Sequence, residues 1–121
     1  MACRRSVLAR GSVTQPYVAV LVIAAPGATE ARSAVERRLR HRGWPRTSSP
    51  ANAGLLIVCG EPGQTLSRTV QAIWDDMPGP RTMTWLREAA SAAEIDATLD
   101  RAAQRLADIQ EQWPDALVRN G

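Results

Sequence analysis

The first strongly patterned stretch is Val18-Ala19-Val20-Leu21-Val22-Ile23, short, β-branched and apolar at every position. A run of that kind without alternation predicts a parallel strand covered on both faces. Pro26-Gly27 ends it. From Thr29 to Arg42 the period changes to that of a helix, with Ala31, Ala34, Val35 and Leu39 on one face and Gly43 as its C′ residue. Trp44 to Pro50 reads as a loop.

Leu55-Leu56-Ile57-Val58-Cys59 predicts a second buried strand, closed by Gly60. Thr65 is placed to cap a second helix whose apolar face carries Leu66, Val70, Ile73, Trp74 and Met77. Pro78 and Pro80 end that helix. Thr82-Met83-Thr84-Trp85-Leu86 alternates, which predicts a third strand in a less deeply covered position. Ser91 and Glu94 form a capping box before a helix with Ile95, Leu99, Ala102, Ala103, Leu106, Ile109 and Trp113 on one stripe. Pro114 is expected to stop it.

The order β-α-β-α-β-α predicts an α/β fold, a small three-layer sandwich around a mainly parallel sheet of three to four strands. Right-handed crossovers are expected between the parallel strands. A length of 121 residues suits one domain, placed at 17–113. Residues 1–16 are expected to form a flexible arm and 114–121 a tail.

Composition narrows the chemistry. All 15 basic residues are arginine, so no lysine is present for a Schiff base or a Walker phosphate site. Cys3 and Cys59 are too far apart for a CxxC motif, and with His41 they are too few for a zinc site. No metal and no cofactor are therefore expected. The apolar run Tyr17–Ala25 is too short to span a bilayer, which needs about 20 residues. The first residues carry no signal-like core, so cytoplasmic residence is the default expectation.

Candidate sites are then weighed at the strands' carboxyl ends, where ligands bind in such sheets. Gly60, Gly63 and Thr65 precede a helix as in a phosphate cradle, but the lysine is absent and Glu61 repels phosphate. A receiver domain needs an acidic cluster after the first strand and an Asp after the third, and neither is present. His41 is surrounded by arginines, and Asp75-Asp76 have no evident acid or base partner, so no catalytic residue is assigned. From Glu30 to Arg46 six Arg face two Glu, whereas Arg87 to Arg119 holds four Arg and seven acids. The basic patch suits an acidic protein surface or simple solvation. It suits nucleic acid less, because aromatic interleaving is missing.

From Arg42 onward the residues support something more specific. Arg42-Gly43, Ser49-Pro50, Ala53-Gly54-Leu55-Leu56-Ile57-Val58-Cys59-Gly60, Leu66, Val70 and Ile73-Trp74-Asp75-Asp76-Met77-Pro78-Gly79-Pro80-Arg81 follow in order. This run resembles the iron–sulfur small subunit of complex I, the B-type subunit of NADH:quinone oxidoreductase, whose underlying fold NiFe hydrogenases share. The resemblance implies a flavodoxin-like, complex I small-subunit-like layout. In that family four cysteines hold a 4Fe–4S cluster that passes electrons. A Cys pair belongs where this chain has Ala25-Pro26-Gly27, and a third Cys where it has Arg87-Glu88-Ala89-Ala90. The fourth belongs in a Pro-Gly-Cys-Pro segment that is missing, and Cys59 stands at a non-ligand position.

What the resemblance implies is an accessory or assembly subunit without its own cluster, docking to a complex I-like or hydrogenase-like large subunit. It would be cytoplasmic and peripheral to a membrane-bound complex. The expected docking residues are Arg37, Arg38, Arg40, Arg42, Ser49, Pro50, Met77, Pro78, Pro80 and Arg81. A stand-alone small-ligand or regulatory module that kept only the scaffold is the alternative. Nucleic-acid binding through the Arg37–Arg46 patch is a third reading.

Overall fold

The computed structural model describes residues 19–120, with side chains through Ile109. The expected arm over 1–16, with Cys3, lies outside the described residues, as do Tyr17, Val18 and the side chain of Trp113.

Three strands, β1 (Ala19–Ala24), β2 (Ala53–Cys59) and β3 (Thr82–Leu86), form one sheet in the order β1-β2-β3. Both pairings are parallel, with Val20 opposite Leu55 and Leu55 opposite Thr82. All seven residues of β2 are buried because it is the central strand and both sheet faces are covered. β3 alternates between buried and more exposed positions, as its sequence implies, and ends the sheet on one side.

Helix α1 (Thr29–Arg42) and helix α3 (Ala92–Asn120) cover one face, packing on Val20, Val22, Leu55 and Ile57. Helix α2 (Gln64–Asp76) covers the other, packing Val70 on Leu21, Leu56 and Val58. The result is the expected three-layer sandwich. Leu39, Leu55, Ile57, Leu99 and Leu106 are almost fully buried. Burying each such side chain stabilises the fold by about 1.5–3 kcal/mol before entropy costs.

After α1 the chain first pairs in parallel with the outer edge of β1 through Arg46. Val20 donates to the Pro45 carbonyl and accepts from Thr47 N–H at 2.8 and 3.0 Å before the 3₁₀ turn Pro50–Asn52 leads into β2.

Two expectations change. Thr65 does not cap α2. The helix starts at Gln64 with Gly63 in the capping position and no side-chain cap, so Thr65 already lies within the first turn. Pro114 does not stop α3, whose backbone stays helical to Asn120. A proline removes one helix bond but has a helix-compatible φ, so the turns on either side can hold the backbone.

The remaining helix ends follow the sequence. Gly43 takes φ 72° at the end of α1, and its N–H donates to the Arg40 carbonyl. Ser91 N–H donates to Glu94 Oε1 at 2.9 Å, and Glu94 N–H to Ser91 Oγ at 3.2 Å. That reciprocal pair is the capping box. Among the described residues no helix is long and apolar enough to cross a membrane.

Candidate functional site

Each helix leaves a strand's carboxyl end and runs back, so its own carboxyl end reaches the sheet's amino edge. The ten residues expected to dock gather at that edge, but on different faces. Arg37, Arg38, Arg40 and Arg42 belong to the α1 side. Met77, Pro78, Pro80 and Arg81 follow α2, and Ser49 and Pro50 lead into β2.

Several of these residues are occupied within the fold. Arg38 Nε donates to Asp96 Oδ1 at 3.0 Å, and Arg42 Nη2 to the same oxygen at 3.2 Å. Arg42 Nη1 lies 2.9 Å from Asp100 Oδ1, and its guanidinium sits 5.2 Å from the Trp44 ring centre. The acidic α3 thus neutralises half of the basic α1 cluster. Burial pushes the Asp96 carboxyl upward, but the bonds from Arg38 and Arg42 outweigh it and hold the group below its ordinary value. Arg37, Arg40 and His41 remain exposed.

Arg81 is also turned inward. Its Nη1 donates to the Trp74 carbonyl and, at 3.2 Å, to the Met77 carbonyl. The guanidinium stacks 4.1 Å from the Trp74 ring centre. It therefore satisfies carbonyls that the end of α2 leaves open. Met77 is buried, the Gly79–Pro80 peptide is cis, and Pro78 is exposed. Ser49 N–H donates to Thr47 Oγ1 at 3.0 Å, and Pro50 opens the 3₁₀ turn.

At the carboxyl edge the loops after the three strands meet. A β-carbon at Gly60 would lie 2.7 Å from Ala28 Cβ, and one at Gly27 would lie 3.4 Å from Glu88 Oε2. Arg87 is held by Glu94, whose carboxyl lies below its ordinary value chiefly through their hydrogen bond. These loops include the Ala25–Gly27 and Arg87–Ala90 segments to which the resemblance assigns cluster cysteines. The residues present do not fit an iron–sulfur cluster. No thiol is among these loops, so none of their side chains can supply the thiolates such a cluster needs. Cys59 is fully buried in the α1-side core, and burial pushes its thiol up to about 11. Among the described residues no group of three His, Cys, Asp or Glu is placed to hold a metal.

The α2 side presents a different surface. One helix covers three strands there, and apolar side chains show on both of its flanks. On the β3 flank Met83 is partly buried and Trp85 is 50% exposed, the one large exposed hydrophobic residue among those described. On the β1 flank, Ile23, Leu66 and Ile73 are partly buried beside a groove. Neither flank was named from the sequence. The β3 alternation held the signal for Trp85, but recognising an open flank needs the strand order.

No protein-family model matches the chain, and no curated protein or solved structure matches it.

Proposed function

We propose that the chain is a non-catalytic accessory or assembly subunit of a respiratory redox complex, complex I-like or hydrogenase-like. It acts by docking and carries no iron–sulfur cluster of its own. The observation that carries the docking reading is the half-exposed Trp85 beside Met83 on the incompletely covered α2 side. Exposed tryptophan is a frequent anchor of protein interfaces. The identity of the host rests on the resemblance over residues 42–81.

The inward bonding of Arg38, Arg42 and Arg81 changes where the electrostatics lie. Arg37 and Arg40 are the α1 arginines left to attract an acidic partner over the screening length, about 10 Å at 0.1 M salt.

Co-purification with a complex I-like or hydrogenase-like large subunit tests the proposal. Trp85→Glu should lower capture at least about tenfold, the equivalent of 1.4 kcal/mol. The pair Arg37→Gln and Arg40→Gln should slow association while leaving dissociation nearly unchanged. Failure to capture any redox-complex subunit removes the proposal. Full capture by Trp85→Glu removes the β3 flank as its docking surface.

A further inference from the structure

The outer edge of β1 is a half-finished strand pairing. Ala25 N–H bonds inward to the Cys59 carbonyl at 2.8 Å, whereas Val20 bonds outward to Pro45 and Thr47. Because backbone direction alternates along a parallel ladder, the N–H and C=O groups of Val22 and Ala24 also point outward. Among the described residues nothing pairs with them. Val22 and Ala24 both line an open groove, and unpaired backbone groups along a strand edge are a template for an added strand.

The surroundings shape what that partner is. A groove of about 660 Å³ runs beside β1, with Arg32, Glu36 and Arg46 on the α1 side and Leu66 and Ile73 on the α2 side. Thr47 closes one end. The open edge from Leu21 to Ala24 spans about 13 Å at the usual strand rise, room for a short strand. Side chains of an added strand alternate between the two walls. Those facing α2 meet Leu66, Ile73, Leu21 and Ile23. Those facing α1 meet Glu36 already shared by Arg32 at 3.3 Å and Arg46 at 3.5 Å, a wall with one net positive charge.

The geometry points to β1 as a strand-addition site for another protein's extended segment in which apolar residues alternate with acidic ones. This deepens the docking reading above and rests on it. Residues 1–18 of this chain suit the groove poorly, since they hold Arg4, Arg5 and Arg10 and no acid. A second copy fits poorly as well. Pairing two β1 edges would bring two positive walls together, with the 45–47 segment obstructing each strand.

The test uses the full chain and synthetic seven-residue peptides read by amide NMR. The first peptide alternates Val with Asp or Glu, the second replaces each acid with Lys, and the third is the first with alternate backbone N-methylation. The acidic peptide should shift the Val22 and Ala24 amides and slow their hydrogen exchange at least tenfold. The Lys and N-methylated peptides should bind at least tenfold more weakly, and 0.5 M NaCl should narrow the acid–Lys difference. Ile73→Asp, a change on a partly exposed helix face, should weaken the acidic peptide by a similar factor.

Equal binding of the acidic and Lys peptides overturns the inference. So does full protection of Val22 and Ala24 in the free chain, or a dimer that protects them. If the acidic peptide binds and no redox-complex subunit is captured, the groove stands and the proposed host falls. If such a subunit is captured but the peptide neither binds nor competes, the groove falls and docking lies elsewhere.

Discussion

Gly60 and Gly63 stand three residues apart in one strand-to-helix loop, yet substitution should act in opposite directions. Gly60 has φ +83°, and an added β-carbon would lie 2.7 Å from Ala28 Cβ and 3.2 Å from Ala25 Cβ. Both neighbours are buried methyls fixed to the backbone, so neither can swing away. The left-handed conformation costs a non-glycine residue about 1–2 kcal/mol, and overpacking adds about 1–3 kcal/mol. Gly60→Ala should therefore destabilise by about 2–5 kcal/mol, much of the stability of a small domain. In urea, at a slope near ~1.5 kcal/mol/M, the midpoint should fall by about 1–3 M. Gly63 has an extended conformation and nothing within 4 Å of its β-carbon position. Gly63→Ser adds a cap to α2 and restricts the unfolded chain, a gain of about 0.5–1 kcal/mol. A Gly60→Ala midpoint within about 0.3 M of the parent chain would refute the packing argument for the carboxyl edge.

Arg81→Gln should cost about 1–3 kcal/mol, through weaker bonding to the Trp74 and Met77 carbonyls and loss of the stack, lowering the thermal midpoint by several degrees. Asp96 and Glu94 have folded pKa values below their ordinary 3.8 and 4.5, so their ionisation stabilises the fold above those values. That stabilisation should be lost as pH falls from about 4.5 through the lower folded values. Urea midpoints of an Asp96→Asn, Glu94→Gln double variant should fall less over that interval, and equal acid sensitivity would refute the assignment. Cys59, buried and raised to about 11, should resist iodoacetamide at pH 8 in the folded chain and react once urea unfolds it, as followed by peptide mass mapping. Rapid labelling of Cys59 in native buffer would contradict its placement.

Much of the fold is local in origin, and that part was legible. The unbroken apolar runs at 18–23 and 55–59, the stripes of α1 and α3, the αL glycine at 43 and the Ser91–Glu94 box each depend on neighbours within a few positions. The pairing of β1 with β2 followed from the same pattern, because two unalternating strands require cover on both faces. Helix boundaries were less legible where two options differed by a residue or by one hydrogen bond, as at Gly63 and Pro114.

What the sequence by itself determined was therefore a small parallel α/β sandwich with an arginine-rich first helix and an acidic last one. Only the tertiary structure decided that these helices are partners, through Arg38 and Arg42 on Asp96 and Asp100, so that much of the basic patch is spent inside the fold. It also decided that Arg81 caps α2 and that both sheet edges flank the thinly covered side. The physical reason is range. Periodicity and capping are set within one or two turns of chain. Ion pairs, strand order and open edges depend on where segments up to 58 positions apart come to rest.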